Sequence, residues 1–200
     1  MRIICLHVSE DTDRLVAAVE HFRERGVKVE WLDGINAKVA GLFTTHPYLN
    51  DDPKRGGHII PQRQVGSALS HIMAWTVCRF LDDECVMIVE DDVEFAPDWK
   101  PQLAQAMAEV PADADMLYVG SCNCDDKPKT RIKGNVWEVK WPFCTHAYIV
   151  WKKALPIMLA THRKIYAPID LSLYFETLPH LRVYTVLPTI MLQRGTPLSP

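Results

Sequence analysis

Three consecutive carboxylates, Glu90, Asp91 and Asp92, close the apolar run Val86-Met-Ile-Val89. Acids in series at the end of a buried segment are costly unless a cation or hydrogen-bond donors compensate them. Hard carboxylate oxygens select Mg²⁺ or Mn²⁺, and those ions suit a diphosphate. Side chains alternate along a strand, which sends Glu90 and Asp92 one way and Asp91 the other. Asp92 with Glu90 is therefore the expected metal pair, and Glu90 with Asp91 the expected contact to a hydroxylated donor. A solvated acidic turn is the plainer alternative. The apolar density of the run fits a strand covered on both faces. In open α/β sheets ligands bind beyond the carboxyl ends of such strands, where this triplet falls.

A helix over residues 64–81 must deliver the next candidates. Ser67, Ser70, His71 and Ala74 are spaced i, i+3, i+4 and i+7 and share one stripe, with Gly66 beside it. Leu69, Ile72, Met73, Thr76, Val77 and Phe80 cover much of the remainder. A small polar stripe on a core-facing helix points to a cavity wall, or to close approach of a ligand or a neighbouring backbone. The alternative is that Ser67 and Ser70 cap or back-bond the helix and His71 is simply hydrogen-bonded. His71 is the weaker metal candidate, because the acids already suit a hard cation.

Other elements follow from periodicity and punctuation. Residues 2–8 read as a strand, with Asp11 and Thr12 as capping candidates for a helix carrying Leu15, Val16, Val19 and Phe22 and closed by Gly26. Residues 27–32 form a second strand, and a strand, helix and strand in order imply a parallel crossover. Residues 41–63 look like a long loop. Pro97-Asp98-Trp99 opens a helix with Leu103, Met107 and Val110 on its inner face. Residues 115–121 and 136–141 read as strands flanking a polar hairpin or loop. A further strand spans 145–150, a helix with Pro156 near its start spans 152–162, and a last strand spans 182–192. The alternation predicts one α/β domain over residues 1–200 with a mainly parallel sheet.

Composition narrows the function classes. The chain is 48% hydrophobic and 24% charged with net charge −3, and no basic stripe points to nucleic acid. The start reads as a first strand rather than a signal peptide, and no apolar run approaches the ~20 residues of a membrane span. A cytoplasmic protein is expected, with peripheral membrane contact open to it through a lipid-linked acceptor. The six cysteines are expected to be reduced, mostly buried thiols. Cys122-Asn-Cys124 has no second pair at ligand spacing, which argues against zinc.

The helix stretch Gln64-Val-Gly-Ser-Ala-Leu-Ser-His-Ile-Met-Ala-Trp75, followed by Met87-Ile-Val-Glu-Asp-Asp-Val-Glu94, resembles glycosyltransferase family 25. Thr145-His-Ala-Tyr-Ile-Val150 is similar to its Thr-x-x-Tyr strand, Ala167-Pro-Ile-Asp170 to its Pro-x-Asp segment, and Gln193 with Ser199 to its closing Gln and Ser. Val29-Glu-Trp-Leu-Asp-Gly-Ile-Asn36 corresponds to its second strand and turn, while Ser67 stands where the family usually has Cys. The resemblance implies a GT-A fold, a UDP-sugar donor, Mn²⁺ (or Mg²⁺), and transfer of a hexose, galactose foremost, with inversion to a glycan or glycosylated acceptor. Inversion needs a carboxylate to take the acceptor proton, and Asp170 is the candidate. A helix N-cap is its alternative role. Asp33 and Asn36 are placed to approach the nucleoside. Trp137, Trp141 and Tyr148 are acceptor candidates, the tryptophans by stacking on a sugar, with core packing as the competing use.

Overall fold

The computed structural model describes residues 1–40, 60–122, 129–140 and 142–195. Three strands rich in apolar residues, β1 (Arg2–His7), β2 (Glu30–Asp33) and β3 (Cys85–Glu90), lie in the order β2-β1-β3 and are parallel. Numbering the strands in chain order, the sheet continues with β8 (Phe143–Trp151), β5 (Met116–Cys122), β9 (Val183–Val186), β7 (Val136–Val139) and β6 (Lys129–Lys133). Strands β7 and β8 run against the others, so the central sheet is mainly parallel.

Strand alternation sorts two cores. Ile4, Leu6, Ile88 and Tyr148 face α2 (Gln62–Cys78) and α4 (Leu155–Thr161), with Trp75 and Met158 packed among them. Cys5, Met87, Val89 and Ile149 face α1 (Thr12–Glu24) and α3 (Trp99–Glu109), meeting Phe22, Trp99 and Leu103. Helices on both faces of one sheet make a three-layer α/β domain. Asp11 caps α1 by accepting from the Arg14 N–H at 3.3 Å, and Gly26 ends it at φ +61°.

Several expected bounds move. The helix α2 begins two residues earlier than residue 64 and stops at Cys78. The predicted final strand over 182–192 divides into β9 and β10 (Met191–Gln193), because Pro188 has no N–H to offer a ladder. Strand β10 pairs instead with β4 (Val93–Phe95), a short ribbon that the sequence reading did not anticipate. Cys122 and Cys144 form a disulfide, which corrects the expectation of six reduced thiols; Cys5, Cys78 and Cys85 are free. The reason lies in pairing: β5 and β8 are neighbours, and the Cys122–Phe143 register sets the two sulfurs together across a separation of 22 residues.

Candidate active site

Parallel pairing brings the carboxyl ends of β1, β2 and β3 to one edge, where His7 pairs with Asp33 and Leu6 with Glu90. A cavity of about 670 Å³ opens there, within the range of small-molecule sites. Arg14, Asn36, Ser67, His71, Glu90 and Asp91 are among its lining residues.

The acids do not alternate as a continued strand would make them. Strand β3 stops at Glu90, and Asp91 and Asp92 lie in the turn before β4. Glu90 points toward α2 and β8. Its Oε1 accepts from His71 Nε2 at 3.2 Å and from the Thr145 hydroxyl at 2.9 Å. Burial would raise the Glu90 carboxyl, but the His71 hydrogen bond and charge, with the Thr145 bond, hold it below the ordinary range. Behind His71, the Tyr148 hydroxyl accepts from Trp75 Nε1 at 2.7 Å and is hydrogen-bonded to His71 Nδ1 at 2.9 Å. The Nε2 proton is the one directed at Glu90.

Asp91 and Asp92 converge on one cation. Arg14 Nη2 donates to Asp91 Oδ1 and reaches Asp92 Oδ2 at 3.1 Å, while His7 Nδ1 meets Asp91 Oδ2 at 3.1 Å. Desolvation opposes the Arg14 charge, yet the two aspartates raise its pKa. Asp92 Oδ2 also accepts from Gln193 at 3.1 Å. Its Oδ1 is buried with no hydrogen-bond partner. Burial first, and the nearby Glu90 charge second, push the Asp92 carboxyl above its ordinary value despite Gln193 and Arg14. An orphaned hard oxygen on a carboxylate short of compensation fits a divalent cation.

The helix stripe divides by role. Ser67, Ser70 and His71 line the cavity. Ser70 also donates to the Gly66 carbonyl at 2.7 Å and accepts from Ile35 N–H at 2.8 Å, clamping the turn after β2 onto α2. Gly66, expected among the donor-binding residues, is not among the residues lining the cavity. A Cβ there would overlap the Ile35 carbonyl oxygen, so its bareness serves backbone approach. Asn36 lines the cavity and accepts from the Lys38 and Val39 N–H groups. Asp33 instead holds Ser9, accepting from its N–H and its hydroxyl at 3.0 Å each, and lies outside the cavity lining.

Of the acceptor candidates, Tyr148 is corrected. Tyr148 is fully buried, with its hydroxyl committed to Trp75 and His71, because its β8 position faces the core of α2. Trp137 sits on β7 at the far side of the sheet, where Lys129 and Arg131 cover its ring. Trp141 and Ser199 lie outside the described residues. Asp170 is the second residue of α5 (Ile169–Ser172), whose N-cap is Pro168; its Oδ1 accepts from Leu171 N–H at 2.9 Å. It is absent from the cavity lining, although α5 packs against β8 and α2. His7 and Arg14 were missed by sequence reasoning. Each lies more than seventy residues from Asp91, and the one available signal was a histidine closing an apolar strand.

Comparison with known proteins bears on this geometry. The model of glycosyltransferase family 25 (LPS biosynthesis protein) matches residues 2–133. "Putative glycosyltransferase R655" of Acanthamoeba polyphaga mimivirus is 25% identical over 155 residues, covering 73% of this chain and 44% of its own length. Human inactive glycosyltransferase 25 family member 3 is 29% identical over 162 residues, 78% of this chain and 26% of the relative. The chain thus spans less than half the length of these curated relatives. In fold, it is similar to a glycosyltransferase involved in glycosylation of the major capsid of PBCV-1, with TM-score 0.56 at 13% identity over 98% of this chain and 93% of that one. No described helix is long and apolar enough to cross a membrane.

Proposed function

Because the chain belongs to glycosyltransferase family 25, we propose that it transfers a hexose, galactose foremost, from a UDP-sugar to a glycan or glycosylated acceptor, with inversion and with a divalent cation. The observation that carries this reading is Asp92, next in sequence to the cavity-lining Asp91, half-buried with its Oδ1 buried and unpaired and its carboxyl raised. The nucleoside is assigned to the turn after β2, where Asn36 lines the cavity, and the diphosphate to the end where Arg14 and the acids meet.

Asp92, with Glu90 beside it, would hold Mn²⁺ or Mg²⁺; both described bonds of Glu90 fall on Oε1. Such a cation would stabilise charge on the departing nucleoside diphosphate. Arg14 is poised to exchange its aspartate partners for phosphate oxygens, which it can receive as a planar fork. His7 keeps Asp91 in place during that exchange, and His71 with Thr145 keeps Glu90 ionised and oriented. Asp170, beside β8 and α2, takes the proton of the attacking hydroxyl in this reading. A lipid-linked acceptor would bring the protein to a membrane surface without a spanning helix.

A second reading is a sugar-nucleotide-binding relative without turnover. It is favoured by Arg14, which already compensates Asp91 and Asp92, and by the inactive designation of the human relative. Release of UDP from a panel of nucleotide sugars, with Mn²⁺ and with chelator, separates the two. Metal-dependent release from a UDP-hexose is expected. UDP binding without release from any donor would replace the transferase reading with the binding one.

A further inference from the structure

A second cluster of ligand-type side chains stands apart from the carboxylates. Cys122 ends β5, Cys144 lies near the start of β8, and one imidazole nitrogen of His146 sits with both sulfurs inside a 4.8 Å group. His146 is 2% exposed. Its Nε2 lies 3.1 Å from the Met191 carbonyl oxygen, to which only a protonated nitrogen can donate. The proton on Nε2 leaves Nδ1 with a bare lone pair, and Nδ1 is buried without a hydrogen-bond partner. A disulfide has no use for that lone pair, and a buried orphan acceptor is destabilising. A backbone carbonyl fixing one imidazole nitrogen while the other is left free is the outer-shell arrangement of a metal-bound histidine. Cys144 adds a local sign: among the described residues it is the non-glycine residue with φ in the left-handed region, +67°, a conformation enriched at functional positions.

We propose that the reduced Cys122–Cys144 pair and His146 form a site for a borderline-soft divalent cation of the zinc class. The donor set is two thiolates and one imidazole, which prefers such an ion to the hard Mn²⁺ or Mg²⁺ suited to the carboxylates. A thiol or phosphine reductant supplies the two electrons that cleave the S–S bond, and two protons complete the thiols. The cation then displaces both protons and binds two thiolates. Sulfurs bound to a tetrahedral ion stand ~3.8 Å apart, from Zn–S bonds of about 2.3 Å. The 5.7 Å Cα separation accommodates this by side-chain rotation. Both cysteines are half-buried, so solvent can complete the fourth position. The site adjoins the carboxylates through Thr145, the residue between Cys144 and His146, whose hydroxyl donates to Glu90.

Co²⁺ is the probe, because thiolate ligation gives it a charge-transfer absorption that carboxylate ligation does not. The full chain is reduced with a phosphine, kept anaerobic and titrated. One equivalent of Co²⁺ is expected to develop thiolate charge-transfer and tetrahedral absorption, which Zn²⁺ bleaches, and the oxidised protein is expected to show neither. Cys122→Ser and Cys144→Ser should each reduce the charge-transfer signal to background, and His146→Gln should weaken Co²⁺ binding at least ~10-fold. The cysteine variants carry the test if the buried histidine variant fails to fold. Absence of charge transfer in the reduced wild type overturns the proposal. So does an undiminished signal in Cys122→Ser, which would trace it to the remaining thiols, Cys5, Cys78, Cys85 or Cys124. Loss of far-ultraviolet dichroism on reduction also overturns it, since the pair would then be a structural bridge.

Discussion

One oxygen of Asp92 accepts from Gln193 while the other is buried without a donor, so this carboxylate gains more from a cation than its neighbours do. Asp91 already has Arg14 and His7, and Glu90 has His71 and Thr145. Asp92→Asn should therefore weaken Mn²⁺-dependent UDP binding at least ~10-fold, because a neutral amide is a poorer ligand for a hard cation. Melting temperature should hold or rise slightly, since a desolvated charge is removed. Calorimetry of UDP with and without Mn²⁺ checks this, and unchanged affinity would take Asp92 out of the site. Asp170→Asn tests the base. Pro168, not Asp170, occupies the N-cap of α5, so stability should change little. UDP affinity should persist while transfer falls ~10²–10⁴-fold. Turnover within a few-fold of wild type would exclude Asp170 and direct the search to other carboxylates. The acid triplet was legible in sequence because its residue types are costly at the end of an apolar strand. Arg14 was not, since an arginine on an amphipathic helix reads as solvated until its partner strand is known.

At the scale of elements, the turn after β2 and the helix α2 form a single unit. Ser70 bonds Ile35 N–H and the Gly66 carbonyl, and Gly66 lets the Ile35 carbonyl come against the helix. Gly66→Ala is expected to push this turn outward, costing ~1–3 kcal/mol as an overpacked contact and lowering donor affinity through displacement of Asn36. Chemical denaturation beside a UDP titration measures both. A loss of stability below ~0.5 kcal/mol, the range of neutral surface changes, would mean that the turn is not held by this approach. The stripe of small residues was readable from i, i+3, i+4 spacing, and its reading as a surface for close approach suits Gly66. Which stripe residue meets backbone and which meets the cavity depends on where β2 delivers its turn, and spacing along α2 carries no information on that.

At the scale of the molecule, His162 ties stability to pH. It closes α4 inside the core, its Nδ1 donating to the Met158 carbonyl at 2.9 Å and its ring edge-on to Trp75. Burial depresses its pKa from 6.5 to about 4, with the Met158 bond opposing that shift. Above pH 6.5 the ring is neutral in both folded and unfolded chains, and its contribution to stability is fully present. As pH falls from 6.5 toward about 4, the unfolded chain takes up the proton first, so stability is lost, by roughly 3 kcal/mol in all. His162→Gln, which keeps a donor for Met158, should flatten the decline between pH 7 and pH 4.5. Parallel denaturation profiles for variant and wild type would assign the acid sensitivity elsewhere.

The chain alone determined that strands alternate with helices, that a mainly parallel sheet results, and that a carboxylate cluster closes one of its central strands. Local periodicity and the cost of burying charge are properties of neighbouring residues, and both are written in sequence order. The motif of Thr145 and Tyr148 and the closing Gln193 were also legible, and their partners Glu90, His71 and Asp92 lie together in the structure. Tertiary structure alone decided that β3 ends at Glu90, which turns Asp91 and Asp92 toward Arg14. It also decided that Pro188 divides the last strand so that β10 can carry Gln193 to Asp92. The same holds for the pairing of β5 with β8, which joins Cys122 to Cys144 beside an unpartnered nitrogen of His146. Those outcomes depend on strand order and register, which arise from burying apolar faces across the whole sheet at once.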